Sequence, residues 1–236
     1  MKRLISVIFF TVLIAGCANM QEILGETSST TSPTSNNQGH LANAVKETLE
    51  ISSLRASNAL SQPGGYFNDA ARKIMLPEQL NSVTKIMRQF GFGNHVDQLE
   101  ARMNKGAEQA ALKAGDLFVA TIKQMNVRDA LGIIRGGDTA ATDFFRQETE
   151  GQLRREYQPI IRQNLEKVGF YEQYRLVLDL YESLPISNGP NMNLEDHVLN
   201  QSLNGLFSKI AEEEALIRSN PLQRGSEVLG SIFSAL

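Results

Sequence analysis

Gly136 to Arg146 reads Gly-Gly-Asp-Thr-Ala-Ala-Thr-Asp-Phe-Phe-Arg, the densest cluster of chemically capable side chains in the sequence. Two glycines ahead of a helix can present backbone N–H groups to an anion. Asp138, Thr139, Asp143 and Arg146 form the candidate ligand or partner site, with Thr142 adding a further hydroxyl. The same residues have a purely architectural use. One glycine stops a helix, Asp138 or Thr139 caps the next, and Asp143 with Arg146 pairs at i and i+3. A carboxylate at Asp138 would also repel a phosphate. The remaining candidates are sparse. The three histidines, His40, His95 and His197, stand far apart, so no compact His-based metal motif exists. His197 neighbours Glu195 and Asp196, but adjacent helical residues point in different directions. His95 reads as solvated. Glu212-Glu213-Glu214 reads as an exposed acidic face, and no nucleophile-elbow motif supports a Ser/His/Asp triad. No catalytic, cofactor-binding or metal-ligating residue is assigned.

The sole cysteine has a different chemistry. Lys2 and Arg3 precede an apolar run from Leu4 to Ile14, which is too short for a hydrocarbon core of about 30 Å. Ile14-Ala15-Gly16-Cys17 then resembles the bacterial lipobox, in which the cysteine is acylated on sulfur and becomes the new N-terminus. Residues 1–16 are thus expected to be a lipoprotein signal peptide that is removed. Ala18, where an aspartate would favour inner-membrane retention, points to the outer membrane. Several acyl chains would hold the protein, since each buried methylene contributes about 0.8 kcal/mol.

Residues 17–39 are expected to form the lipidated Cys17 and a Ser/Thr-rich flexible tether, because Thr27 to Ser35 offers almost nothing to bury. Its r.m.s. reach is about 25 Å, from about 5–6 Å times the square root of residue number. Residues 40–236 are expected to be one all-helical domain. Hydrophobic residues make up 42% of the 236-residue chain and charged residues 21%, a balance that can bury a core. The net charge of −3 excludes a general nucleic-acid binder. Locally, Glu148, Glu150 and Glu156 neutralise Arg154 and Arg155.

The periodicity beyond Leu41 is helical nearly throughout. Pro63-Gly64-Gly65 ends a first helix, and Tyr66 with Phe67 pins an extended loop to Leu76. Pro77 opens a second helix with Leu80, Val83, Met87 and Phe90 inward. Asn94 with Asp97 reads as a capping box for a third, whose stripe is Val96, Leu99, Met103, Ala107, Ala110 and Ala114. Gly115-Asp116 is expected to interrupt it. Asn126 with Asp129 caps a short helix. The longest stripe, Phe145 to Val168, carries Pro159, which should kink or split it. Leu184 to Asn193 reads as a loop, Asn193 caps another helix, and Asn220-Pro221 precedes a final apolar face. The fold class predicted is all-α, a single compact domain of about eight to ten helices with no sheet.

The same stretches carry a family resemblance. Gln62 to Asn68, Ile74 to Glu78, Asp129 to Ile134, Gly136 to Arg146, Gly205 to Phe207, Ala211 to Glu214 and Ile217 to Pro221 resemble the bacterial family called domain of unknown function 4197. The similarity runs from about Leu41 to Phe233. It departs around Arg55, where the family implies a helix richer in Ala and Leu. It implies a small helical protein of the bacterial envelope and carries no activity. The sequence therefore points to a lipid-anchored periplasmic lipoprotein of the Gram-negative outer membrane. It would be a non-enzymatic binding or scaffolding domain with a protein or peptide partner, without cofactor or nucleic acid. The alternative is an enzyme or small-molecule receptor with a polar site around residues 136–146.

Overall fold

A computed structural model describes residues 33–183 and 193–234, with side chains from residue 38 onward. The signal segment, Cys17, most of the tether, the expected loop from Leu184 and Leu236 lie outside the described residues. The chain divides into two units, Met1–Asn37 and Gln38–Leu236, and the second is described here.

Nine helices and no strand occur among the described residues, as the periodicity predicts. They are α1 (Pro33–Leu60), α2 (Asn81–Gln89), α3 (Gly93–Gln124), α4 (Ala130–Ile134) and α5 (Ala140–Lys167). α6 (Phe170–Glu182), α7 (Leu194–Ser219), α8 (Pro221–Arg224) and α9 (Glu227–Ser234) follow. A 3₁₀ turn, Glu78–Leu80, leads into α2. Pro77 is its N-cap rather than its first helical residue. α1 begins at Pro33, so the last residues of the expected tether are helical.

Small residues put α3 at the centre. Gly106 and Gly115 fall on opposite faces of it. A Cβ on Gly106 would lie 2.6 Å from a Leu165 methyl of α5, and one on Gly115 would strike the Ser57 hydroxyl of α1. α1 and α3 run antiparallel, because Lys46 also donates to the Lys123 carbonyl at 3.0 Å. α3 and α5 run antiparallel too, with Phe118 and Phe145 at the opposite end from Gly106 and Leu165. α7 returns along α5, and Phe207 closes a triangle with Phe118 and Phe145 at centroid distances of 5.5–5.8 Å. Such edge and tilted contacts add to simple area burial.

Four local expectations are corrected. Gly115-Asp116 does not interrupt α3, because Gly115 is where α1 approaches. Asn94 does not cap α3, which starts one residue earlier behind Phe92. α5 runs unbroken through Pro159, whose exposed side leaves the carbonyl freed one turn earlier to water. Phe90, expected inward, is 53% exposed because α2 has already ended at Gln89. The other stripes lie as predicted: Phe145, Thr149, Leu153, Tyr157, Ile161 and Leu165 are all buried. Asn193 caps α7 through the Asp196 N–H as expected, but Asp129 rather than Asn126 is the N-cap of α4, through the Gly132 N–H, and the helix starts three residues later than Val127. Of the final apolar face, Leu229, Ile232 and Phe233 dock on their own domain, whereas Val228, expected inward with them, is 56% exposed. Leu229 is fully buried, Ile232 and Phe233 pack against the core, and the Arg218 guanidinium sits over the Phe233 ring.

Two buried phenols meet at one serine. The Tyr66 hydroxyl donates to the Ser202 carbonyl at 2.8 Å, and the Tyr157 hydroxyl lies 3.0 Å from the Ser202 Oγ. Only glycine fits at 205, where a Cβ would stand 2.6 Å from the Tyr66 ring. Burial pushes the Tyr66 phenol well above its usual range, and the nearby Tyr157 adds to this. Burial also raises Tyr157. Unfolded tyrosine ionises near pH 10, whereas these two stay neutral in the fold. Their contribution is therefore complete below about pH 10 and is lost as pH rises through the folded values. Stability measured against pH should fall steeply above about pH 10. The late-ionising phenolate absorption should appear together with loss of helix. Tyr66→Phe should cost about 0.5–1.5 kcal/mol at neutral pH and weaken that alkaline dependence. An unchanged alkaline slope in the variant would contradict the assignment.

Candidate functional site

Between α4 and α5 the chain turns through Gly136 and Gly137. The N-terminal N–H groups of α5 need acceptors there. They find one 73 and 72 positions away, not at Asp138 or Thr139. Glu214 of α7 accepts from the Ala141 N–H at 3.0 Å and from the Thr142 N–H at 2.7 Å. The Thr142 hydroxyl donates to the same carboxylate at 2.5 Å. Arg218, one turn on, holds Glu214 at 2.8 Å and donates to the carbonyls of Ile134 and Ile133, at 2.8 and 3.2 Å. The guanidinium thus takes the C-terminal carbonyls of α4 while the carboxylate takes the N–H groups of α5. Each charge sits at the helix end whose dipole it complements.

Glu214 is 0% exposed and Glu213 8%. The expectation that Glu212 to Glu214 forms an exposed face is corrected for both. Only Glu212 stays near the surface, where Lys209 and Arg72 hold its carboxyl below the ordinary range.

The residues singled out at 136–146 do not converge. Asp138 is exposed. The Thr139 hydroxyl donates to Asp143 at 3.0 Å within the first turn of α5. Arg146 lies against α7, bonded to Glu150 and, at 2.5 Å, to Asn204, with its guanidinium over the Phe207 ring. The anion-binding positions are already filled by Glu214.

The histidines also have local roles. His197 Nε2 lies 2.8 Å from the Met75 carbonyl, tying α7 to the loop before α2. His95 is only half exposed. Its Nδ1 is buried without a partner, and its carbonyl accepts from Gln173 of α6, so the expectation of a solvated side chain is corrected. No group of three metal-ligating side chains occurs among the described residues.

A different site arises where the loop from Gln62 to Leu76 lies on α3. Gly64 has a left-handed φ of 83°, and a Cβ on Gly65 would stand 2.6 Å from the Leu60 carbonyl, so the turn after α1 requires both glycines. Tyr66 is thereby driven into the core while Phe67 stays 39% exposed. Much of the loop is exposed, but its backbone beside the buried Tyr66 and Ile74 has no strand partner. Three side chains one turn apart on α3 supply the bonds instead. Glu108 Oε1 accepts from the N–H groups of Tyr66 and Phe67, both at 3.2 Å. Asn104 accepts from the Ile74 N–H at 2.8 Å and donates to its carbonyl at 2.7 Å. Glu100 accepts from the Leu76 N–H at 3.1 Å.

Beside Glu108 the loop and α3 leave an open cavity of about 470 Å³, lined by Ser61, Phe67, Asn68, Lys105, Glu108 and Gln109, among others. That volume lies in the range of small-molecule sites, about 300–1,000 Å³. Sequence reasoning did not single out Glu108. The available signal was a carboxylate inside the small-residue stripe of α3, four positions after an asparagine that is also buried. A second hollow, about 40 Å³, lies between α2 and α6 over Leu99, with an almost wholly apolar lining that includes Leu80, Met87 and Tyr181. It is too small for a drug-sized ligand.

These features define a small all-α protein with a polar ladder beneath one loop and a buried acid capping the start of α5. The chain belongs to the family described as "Protein of unknown function (DUF4197)", whose model matches residues 35–234. No curated protein matches it. No solved structure matches it either.

The acid cap yields a direct test. Glu214→Ala would leave the α5 N–H groups buried without their acceptor and Arg218 without its counter-charge, holding only the Ile133 and Ile134 carbonyls. It should lower the unfolding free energy by about 3–5 kcal/mol, as removal of one member of a buried pair does. Asp138→Ala should change it by less than about 0.5 kcal/mol, as surface substitutions do. Denaturant titration of the two variants checks this. Equal effects would show that α5 is capped locally.

Proposed function

We propose that this chain is a lipid-anchored binding protein of the Gram-negative envelope, acting without catalysis. The cavity beside Glu108 is its binding site, and this geometry carries the reading. A nearly buried carboxylate is held in place by two backbone N–H groups and opens into a hollow of small-molecule size. The domain's other polar clusters are closed on themselves: Glu214 with Arg218, and Arg146 with Glu150 and Asn204.

The anchor in this reading is Cys17, and its support is the Ile14-Ala15-Gly16-Cys17 sequence. No helix among the described residues is long and apolar enough to cross a membrane. Lipid on Cys17 would hold the domain at the periplasmic face of the outer membrane, within reach of a protein, peptide or small-molecule partner. The polar site around residues 136–146 is the weaker alternative, since its side chains lie in caps and surface pairs.

Two measurements test the two halves. A palmitate analogue should label the wild type in growing bacteria, whereas Cys17→Ser should accumulate as an unlabelled precursor. A wild type that takes up no label would end the lipoprotein reading. For the site, a photo-crosslinking residue at Gln109 should give discrete adducts in intact cells that are absent when the residue is placed at Glu148. Identical labelling at both positions would remove the cavity from the reading.

A further inference from the structure

We infer that the cavity beside Glu108 takes a ligand bearing a primary ammonium group on an aliphatic stem; this rests on the cavity being the binding site. Glu108 is 7% exposed, so its carboxylate is largely withdrawn from water. Oε1 accepts the Tyr66 and Phe67 N–H groups, and the second oxygen takes no hydrogen bond from the described residues. None of the ion pairs of the described residues includes Glu108. The other buried acid, Glu214, has its arginine at 2.8 Å. Buried carboxylates are ordinarily paired with a cation, and a charge-assisted bond is about twice as strong as a neutral one.

The fold's own candidate for that cation does not serve. Lys105 lines the cavity one turn before Glu108, yet it is exposed and makes no ion pair with it. The rest of the lining suits an ammonium with a carbon stem. Asn68 and Gln109 have carbonyl acceptors for the remaining N–H groups, and Ser61 has a hydroxyl. The half-exposed Phe67 ring offers an apolar face, and it already attracts one ammonium, that of Lys73, at 4.2 Å from its centroid. A guanidinium would need a fork of coplanar acceptors, whereas a single free carboxylate oxygen matches a point charge.

The purified full chain in detergent, titrated with four probes, tests this. Cadaverine represents a free diamine, and Nα-acetyl-lysine methylamide a lysine within a peptide. Pentanol and valerate present the same stem with a neutral or an anionic head. Either amine should bind saturably and shift the backbone amide resonances of Tyr66 and Phe67. The tighter of the two identifies the source. Glu108→Gln keeps the oxygen that holds the loop but removes the charge, and should weaken amine binding about tenfold or more. If pentanol or valerate moves those resonances and neither amine does, the ammonium assignment fails while the binding site stands. If Glu108→Gln binds the amine as tightly as the wild type, the assignment also fails. If none of the four probes perturbs the site, both the assignment and the cavity reading fall.

Discussion

A loop that sends Tyr66 and Ile74 into the core without a strand partner must find backbone hydrogen bonds for those segments elsewhere, and in this fold α3 provides them. Glu100, Asn104 and Glu108 occupy successive turns and bond to Leu76, Ile74 and the Tyr66–Phe67 pair. Unsatisfied buried N–H or C=O groups each cost about 1–3 kcal/mol, so the ladder is what allows Tyr66 and Ile74 to sit in the core while Asn68, Ala70 and Ala71 between them stay exposed. Its placement has consequences in two directions. Inward, it delivers Tyr66 to Ser202 and so couples α3 to α7. Outward, it leaves Phe67 and one edge of Glu108 facing an open cavity.

The same principle operates at the other end of the bundle with full charges. Glu214 and Arg218 bridge the end of α4 and the start of α5 from a third helix, so the hairpin they close is fixed relative to α7. A buried ion pair is often a poor source of net stability, because desolvation offsets the Coulombic gain. Here both partners carry further hydrogen bonds to backbone groups that local residues leave unsatisfied. The contribution lies in geometry, since the pair admits one placement of α5 against α7. Phe118, Phe145 and Phe207 then fill the space so defined.

Why some features were legible and others not follows from range. Helical stripes repeat every three or four residues, so Val96 to Ala114 and Phe145 to Leu165 could be placed inside without knowledge of their neighbours. The cap at Asn193 is a contact over three residues and was equally readable, whereas the cap expected at Asn126 falls three residues later, at Asp129. Gly115 and Pro159 misled because their propensities describe an isolated helix. Packing against Ser57 makes glycine necessary at 115, and solvent at 159 tolerates the missing N–H. Phe90 misled because the apolar stripe of α2 outlasts the helix by one residue.

The sequence by itself determined an all-helical body, most of its inward faces and the glycine-dependent turn after α1, since those depend on periodicity and on backbone conformations available within a few residues. The tertiary structure alone decided which acids are buried. Glu214 looked like part of a solvated run, and its partners at Ala141 and Thr142 lie 73 and 72 positions away. Nothing in the sequence singled out Glu108, and its partners stand 42 and 41 positions away. Hydrogen-bond satisfaction of a buried group is a property of the place it reaches, and only the packed chain specifies that place.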